Sequence, residues 1–244
     1  MTAMNELSII IPCLHSTQIL PLLIDELSSY LRANPGDVDI IVVTNDKSPD
    51  SDKLVDYVKK KYPWLKFEML QIAGQARSFG ALVRFGCAYS TSSYAVILSA
   101  YGEDDIGMIS KMLVQIRKGA QVVQATRTDP LNLKGQVLLK FRIYQAVYRF
   151  LIRVLLGFKV SDSTYGFKMF DRVFIQSFGL SQNGFSISPE ITLKTLLAGG
   201  KVEYITANVK SKPLNEDFKL YREGIQYLWL PLRGSFHRIG LLWF

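Results

Sequence analysis

Three acidic side chains in a row, Glu103, Asp104 and Asp105, stand just behind a short apolar run at residues 94–98. A run of that kind, ending in small residues, reads as a buried parallel strand. Ligands of open α/β sheets bind outside the carboxyl ends of the strands. Acids placed there could hold a divalent cation against a phosphorylated substrate, because hard cations prefer oxygen ligands. The same acids would equally serve as an N-terminal charge cluster on the following helix, favoured by its dipole. Local sequence leaves both readings open. His15 and His237 are the only histidines, which excludes a multi-histidine metal site and paired-histidine catalysis. Cys13 and Cys87 each lie inside an apolar stretch without zinc spacing. A disulfide framework is therefore not expected, and a reducing cytoplasm is.

The elements that must position these groups follow from periodicity. Apolar runs at 7–12, 38–43, 64–70, 94–98, 121–125 and 201–209 read as strands. Helical spacing appears at 20–31, 54–61, 77–89, 109–118 and within 184–197. Pro12 is expected to stop the first strand. Strands alternating with helices predict an α/β fold, with a mostly parallel sheet flanked by helices. With 48% hydrophobic and 20% charged residues in a chain of 244, a sizeable core is available. The net charge of +8 points to anionic partners, such as nucleotide phosphates or acidic lipid. No signal peptide opens the chain, and no apolar run is long enough to span a membrane.

Two stretches differ from the rest. Residues 137–156 carry apolar side chains over more than one helical face, with Lys140, Arg142, Arg149 and Arg153 among them. Residues 221–244 mix Tyr227, Trp229, Phe236 and Trp243 with Arg222, Arg233 and Arg238. That composition suits a helix in a dimer, on a partner membrane protein or on a membrane surface; a buried core helix is the plain alternative for 137–156. The expected organisation is one domain over 1–220 and an amphipathic membrane-associating or oligomerising segment over 221–244. No nucleic-acid-binding motif is present, so nucleic acid is not an expected partner.

Seven separated stretches, in order, resemble family 2 glycosyltransferases, particularly the polyprenyl-phosphate (dolichyl-phosphate) sugar synthase branch. Ser8-Ile-Ile-Ile-Pro12 is similar to the family's opening strand, and Ile40-Ile-Val-Val-Thr-Asn-Asp-Lys-Ser-Pro-Asp50 to its second strand and "N-D-G-S-P-D" turn. Gly80-Ala-Leu-Val-Arg-Phe-Gly86 resembles "G-A-A-L-R-x-G". The stretch 94–105 stands where the family has a strand ending in Asp-x-Asp. Val122-Val-Gln-Ala-Thr-Arg127 resembles "V-V-x-G-S-R", and Gly184-Phe-Ser-Ile-Ser-Pro-Glu190 resembles "G-F-x-F-x-x-E". The most specific match is Val160-Ser-Asp-Ser-Thr-Tyr-Gly-Phe-Lys-Met-Phe170, similar to "V-x-D-P-T-S-G-F-R-L-F".

The resemblance implies a GT-A (Rossmann-like) fold that binds a nucleotide-sugar donor, a UDP- or GDP-sugar. It implies transfer, with inversion, to a lipid-linked acceptor such as polyprenyl phosphate, at the cytoplasmic face of a membrane. The implied nucleotide-binding set is Pro12, Asp46, Arg84, Ser99 and Tyr101. Asp46 could accept hydrogen bonds from a base edge or simply form a turn. Arg84 could reach the base or ribose, or line a solvated helix face. Arg127 and Lys219 would neutralise phosphate charge. Asp162 and Gly166 mark the acceptor loop, with Glu190 as base if the acceptor were a sugar hydroxyl. The sequence departs from the family at Asp-x-Asp, where it has Ser99-Ala-Tyr101. Glu103 and Asp104 are then the candidate ligands for a divalent cation, Mg2+ or Mn2+, with Asp105 beside them. The alternative is a catalytically deficient member that serves as partner or scaffold of an active transferase.

Overall fold

A computed structural model of the chain describes residues 5–14, 19–45, 49–72, 78–127, 137–207, 220–241 and 244. Asp46, Lys219 and the last residues of the sixth expected strand lie outside these, as does the side chain of Arg127. Seven strands form one sheet: β1 (Leu7–Cys13), β2 (Val38–Thr44), β3 (Lys66–Gln71), β4 (Tyr94–Ile97), β5 (Val122–Arg127), β6 (Lys168–Asp171) and β7 (Val202–Ala207). Their order is β3-β2-β1-β4-β6-β5-β7. β1 pairs in parallel with β2 and β4, β2 with β3, and β5 with β7. β6 alone runs antiparallel, against both β4 and β5.

Both faces of the sheet are covered, which is why β1 is buried at every residue and reads as a continuous apolar run. One face packs on α1 (Leu20–Ala33), α2 (Pro49–Lys61) and α4 (Met108–Arg117), through Leu23, Ile24, Leu27, Leu54, Ile109 and Met112. The other packs on α3 (Phe79–Tyr89), α6 (Arg172–Phe178) and α7 (Ile187–Leu197), through Leu82, Val83, Ile175, Ile187 and Ile191. A third apolar cluster joins α7 to α5 (Val137–Leu156) and α8 (Leu220–Arg238), with Tyr148, Ile152, Leu156, Leu193, Tyr227 and Leu230 at its centre. The Tyr144 hydroxyl donates to the Gly224 carbonyl at 2.7 Å, and Arg238 Nη1 donates to the Leu156 carbonyl at 2.7 Å, closing α5 onto α8.

The mostly parallel α/β sheet matches the sequence expectation, with three differences. Pro12 does not stop β1, which continues to Cys13. The Leu98 N–H donates to the Ile10 carbonyl at 2.9 Å, so Ile10 and Pro12 both turn toward β4. β4 ends at Ile97, and the N–H that proline lacks has no strand to face there. β6 and α6 were not expected as elements. The four-residue β6 opens with a lysine, and Asp171 at its end caps α6 by accepting from the Phe174 N–H at 3.0 Å.

Gly86 shows how closely α3 lies on the sheet. A Cβ there would meet Ile10 Cγ2 at 2.6 Å and Val43 Cγ2 at 3.2 Å. Gly86→Ala is expected to wedge α3 from β1 and β2 and to lower stability by about 1–3 kcal/mol in urea unfolding. An unchanged unfolding midpoint would count against this packing.

Candidate functional site

The carboxyl ends of β1, β2 and β4 form one rim, and the chain leaving β4 is tightly tied there. The Ser99 N–H donates to Asp104 Oδ2 at 2.7 Å, and the Ser99 hydroxyl donates to Glu103 Oε1 at 3.0 Å. The Tyr101 N–H donates back to Ser99 Oγ at 3.3 Å. Gly102 takes a φ of 67°, the left-handed conformation this tight loop requires. Asp104 is only 3% exposed, and its second oxygen accepts from the Tyr165 hydroxyl at 2.5 Å. The carboxylate therefore bridges the loop after β4 to the loop before β6, which contains Asp162 and Gly166. Asp105 does something different: Oδ1 accepts from the Gly107 N–H at 3.0 Å, at the start of α4.

The loop before β6 is held on all sides. Asp162 Oδ1 accepts from the Thr164 hydroxyl at 3.1 Å, and its carbonyl accepts from the Gln124 amide. The Ser188 hydroxyl of α7 donates to the Tyr165 carbonyl at 2.7 Å. Phe79, at the start of α3, stacks on Phe185 with ring centroids 4.8 Å apart. Gly166 faces the Phe79 ring, 3.9 Å from where a Cβ would stand.

Glu190 and Arg84 are placed together, behind this loop and on one segment. Glu190 is fully buried; it accepts from the Ser181 N–H at 2.9 Å, the Ser181 hydroxyl at 2.6 Å and the Gln182 N–H at 2.9 Å, and pairs with Lys194 at 3.0 Å. Arg84 Nη1 donates to the carbonyls of Leu180 and Ser181 at 3.3 and 3.2 Å. The same segment presses on the start of α3, where the Asn183 carbonyl accepts from the Gly80 N–H at 2.6 Å. A Cβ on Gly80 would stand 2.5 Å from the Gln182 carbonyl oxygen, so glycine is what permits the approach. In this geometry Arg84 and Glu190 clamp 180–183 onto α3.

The structure thus brings Ser99, Tyr101, Glu103 and Asp104 together and links them, through Tyr165, to the loop of Asp162. Pro12 lies at the neighbouring end of β1. Arg127 ends β5, opposite Ala207 of β7. Among the described residues no three His, Cys, Asp or Glu converge as a metal cage. Asp104 accepts one hydrogen bond on each oxygen, from Ser99 and Tyr165, and Glu103 accepts from the Ser99 hydroxyl beside it. Tyr165, Gln124, Lys168, Ser188 and Thr192 hold the site together and were not singled out from the sequence. The legible signal was a lysine inside the apolar Phe167-Lys-Met-Phe170, and Ser188 and Thr192 one helical turn apart.

No curated protein matches the chain. Glucosyl-3-phosphoglycerate synthase from Mycobacterium tuberculosis in complex with UDP superposes with a TM-score of 0.67 at 15% identity, over 98% of this chain and 81% of that one. A structure of the same synthase with Mn2+, UDP-glucose and phosphoglyceric acid gives 0.65 at 17% identity, over 95% and 80%. Mannosyl-3-phosphoglycerate synthase from Rubrobacter xylanophilus gives 0.64 at 16% identity, over 98% and 76%. At such identities the likeness carries the fold, and it is the fold expected from the sequence. Residues 8–179, well over half of the chain, match glycosyl transferase family 2. The chain belongs to glycosyl transferase family 2.

Proposed function

We propose that the protein moves a sugar from a UDP- or GDP-sugar to a lipid-linked phosphate, of the polyprenyl-phosphate class, at a membrane surface. The observation that carries the transfer reading is the Asp104 bridge, which ties the loop after β4 to the loop before β6 at the strand ends. One loop would face the donor and the other the acceptor, and a fixed spacing between them is what oriented transfer requires. Pro12, Asp46, Ser99 and Tyr101 would border the nucleotide, and Arg127 and Lys219 would balance phosphate charge. Asp162 would face the acceptor. Arg84 and Glu190 would act from behind, by holding 180–183 on α3. A phosphate acceptor is already a nucleophile, so the capture of Glu190 in hydrogen bonds leaves the reaction without a need it cannot meet.

A divalent cation has a limited role here. The neighbouring synthase binds Mn2+ with UDP-glucose, whereas in this chain Ser99-Ala-Tyr101 stands where the family carries its two aspartates. Mg2+ is commonly held by one or two carboxylates plus substrate phosphates. A cation would thus arrive on the donor diphosphate, with Glu103 as the protein's contribution.

The lipid acceptor is inferred from α5 and α8. Their inner faces form the third core cluster, yet each carries a second apolar stripe outward. Ile143, Val147, Phe150 and Val154 line α5, and Ile225, Trp229, Leu232 and Phe236 line α8 with Ile239 just past its end; Phe150 is 64% and Ile225 72% exposed. Exposed Arg149 and Arg153 flank the first stripe, and α5 contains no acid. Apolar surface rimmed by arginine suits an anionic headgroup boundary. Among the described residues no helix is long and apolar enough to cross a membrane.

Calorimetric titration of UDP, GDP and their sugars, with and without Mn2+, tests the donor reading. Binding of a nucleotide sugar is expected; absence of binding to every nucleotide would favour the partner or scaffold reading. Tyr165→Phe should leave the fold intact, cost about 1–3 kcal/mol of stability and lower turnover by at least about tenfold. Wild-type turnover in that variant would remove the bridge from the mechanism. The protein should co-sediment with vesicles containing anionic lipid, and binding should weaken as salt rises. Phe150→Glu with Trp229→Glu should abolish that binding. Recovery of the wild type wholly in the supernatant at low salt would sink the membrane reading.

A further inference from the structure

A fully buried lysine lies beneath the loop before β6. Lys168 opens β6 and faces Gln124 across the β5–β6 pairing. Its Nζ lies 2.9 Å from Gln124 Oε1, 2.8 Å from the Ser163 carbonyl, 2.6 Å from the Ser188 carbonyl and 2.6 Å from Thr192 Oγ1. The partners complete a network. The Thr192 hydroxyl donates to Gln124 Oε1 at 2.9 Å, and the Gln124 amide donates to the Asp162 carbonyl. The Ser188 hydroxyl donates to the Tyr165 carbonyl at 2.7 Å and lies 3.3 Å from the Ser163 carbonyl. Three backbone carbonyls of the loop, at 162, 163 and 165, are thus gripped from below. The Tyr165 hydroxyl meanwhile reaches Asp104.

Three of the four oxygens around Nζ, those of Gln124, Ser163 and Ser188, can only accept. Serving all three takes three N–H bonds, which the ammonium form alone carries. We propose that Lys168 is a positioning residue for sugar transfer, its buried ammonium ion holding the 162–165 backbone so that the acceptor loop stays in register with the loop after β4. This inference rests on the transferase reading. Lys168 acts through Asp162 and Tyr165 and does not touch substrate.

The charge has a consequence in pH. Burial draws the Lys168 pKa well below the ordinary lysine value, and the Asp162 charge opposes that shift. The groups around it are few. β5 and α7 contribute the neutral Gln124, Ser188 and Thr192, and α5 contributes the buried Tyr148 phenol, which burial pushes up so that it stays neutral. Losing the proton leaves two N–H groups among these oxygens and removes the charge that draws them to one point, so turnover should fall along an alkaline limb below the usual lysine pKa. The contribution to stability runs the other way. The unfolded chain binds more protons between the two pKa values, so stability rises with pH in that window. A loop that loosens while the fold tightens separates positioning from mere structural support.

The test compares wild type, Lys168→Met and Lys168→Arg. Turnover would be followed with the nucleotide sugar that binds in calorimetry and polyprenyl phosphate in vesicles, together with hydrogen exchange of the 161–166 amides. In Lys168→Met, kcat should drop about 10²-fold with donor KM within about twofold. The alkaline limb should vanish and the 161–166 amides should exchange at least about tenfold faster. Lys168→Arg, whose guanidinium stays charged, should recover most of kcat and carry no limb below pH 10. Equal losses in both variants would mean packing rather than charge and would overturn the proposal, as would wild-type exchange of the loop in Lys168→Met. If wild type binds donor and shows no turnover, the transferase reading fails on its own, and the exchange rates alone decide whether Lys168 orders the loop.

Discussion

The reversal of one strand governs where everything else can stand. In a sheet whose other strands run in parallel, β6 enters between β4 and β5 from the opposite end. Its preceding loop, rather than its following one, therefore lies at the carboxyl ends of its neighbours. Residues 161–166 are brought level with the loop that leaves β4. Without that reversal, Tyr165 could not meet Asp104, and Asp162 would belong to the far edge of the sheet. A buried antiparallel strand between parallel ones also leaves its first residue at the rim of the core, and that residue is Lys168.

Placing charge there is energetically demanding, and the surroundings are built accordingly. Taking an ion out of water costs several kcal/mol even after relaxation, and removing one partner of a buried charge costs about 3–5 kcal/mol. Lys168 is met by four oxygens, Asp104 by a backbone N–H and a phenol, and Glu190 by two backbone N–H groups, a hydroxyl and Lys194. Lys168 and Asp104 join segments distant in the chain, and Glu190 fastens the loop that precedes its own helix. Apolar packing could stabilise the same elements, but it is non-directional and would tolerate sliding of a loop. A network of directed acceptors specifies one loop conformation, which is what a site that aligns two substrates needs.

Much of the sheet was legible because parallel strands covered on both faces read as continuous apolar runs, as Ile9-Ile-Ile11 and Ile40-Ile-Val-Val43 do. β6 escaped because it spans four residues and begins with a lysine, which local rules assign to solvent. Only tertiary acceptors from β5 and α7 make that lysine an interior residue. The acids after β4 were legible as a site, but their division of labour was not. Asp104 turned inward and Asp105 went to the start of α4, as the plain helix-terminus reading had it, because Tyr165 approaches from 61 positions along the chain. Glu190 and Arg84 stood in family-like motifs, and their shared grip on 180–183 depends on α3 and α7 meeting behind the sheet.

The two-sided helices pose the converse problem. Residues 143–156 and 224–239 have too much apolar surface for one face, and composition alone cannot say which half the core takes. Tyr144, Tyr148 and Tyr227 resolve it: their rings pack at 6.1–6.3 Å between centroids, and the Tyr144 hydroxyl finds the Gly224 carbonyl. A tyrosine pointed at lipid would leave that polar end without such a match. Phe150, Val154 and Ile225, with Trp229, whose only polar group is the indole N–H, are left outside, half a turn away on their helices. Polar-tipped aromatics inside and smooth apolar side chains outside is the reverse of a soluble helix pair, where the outer face is polar. The outward stripes are thus surplus to the core, and their cost in water is offset only when something apolar covers them.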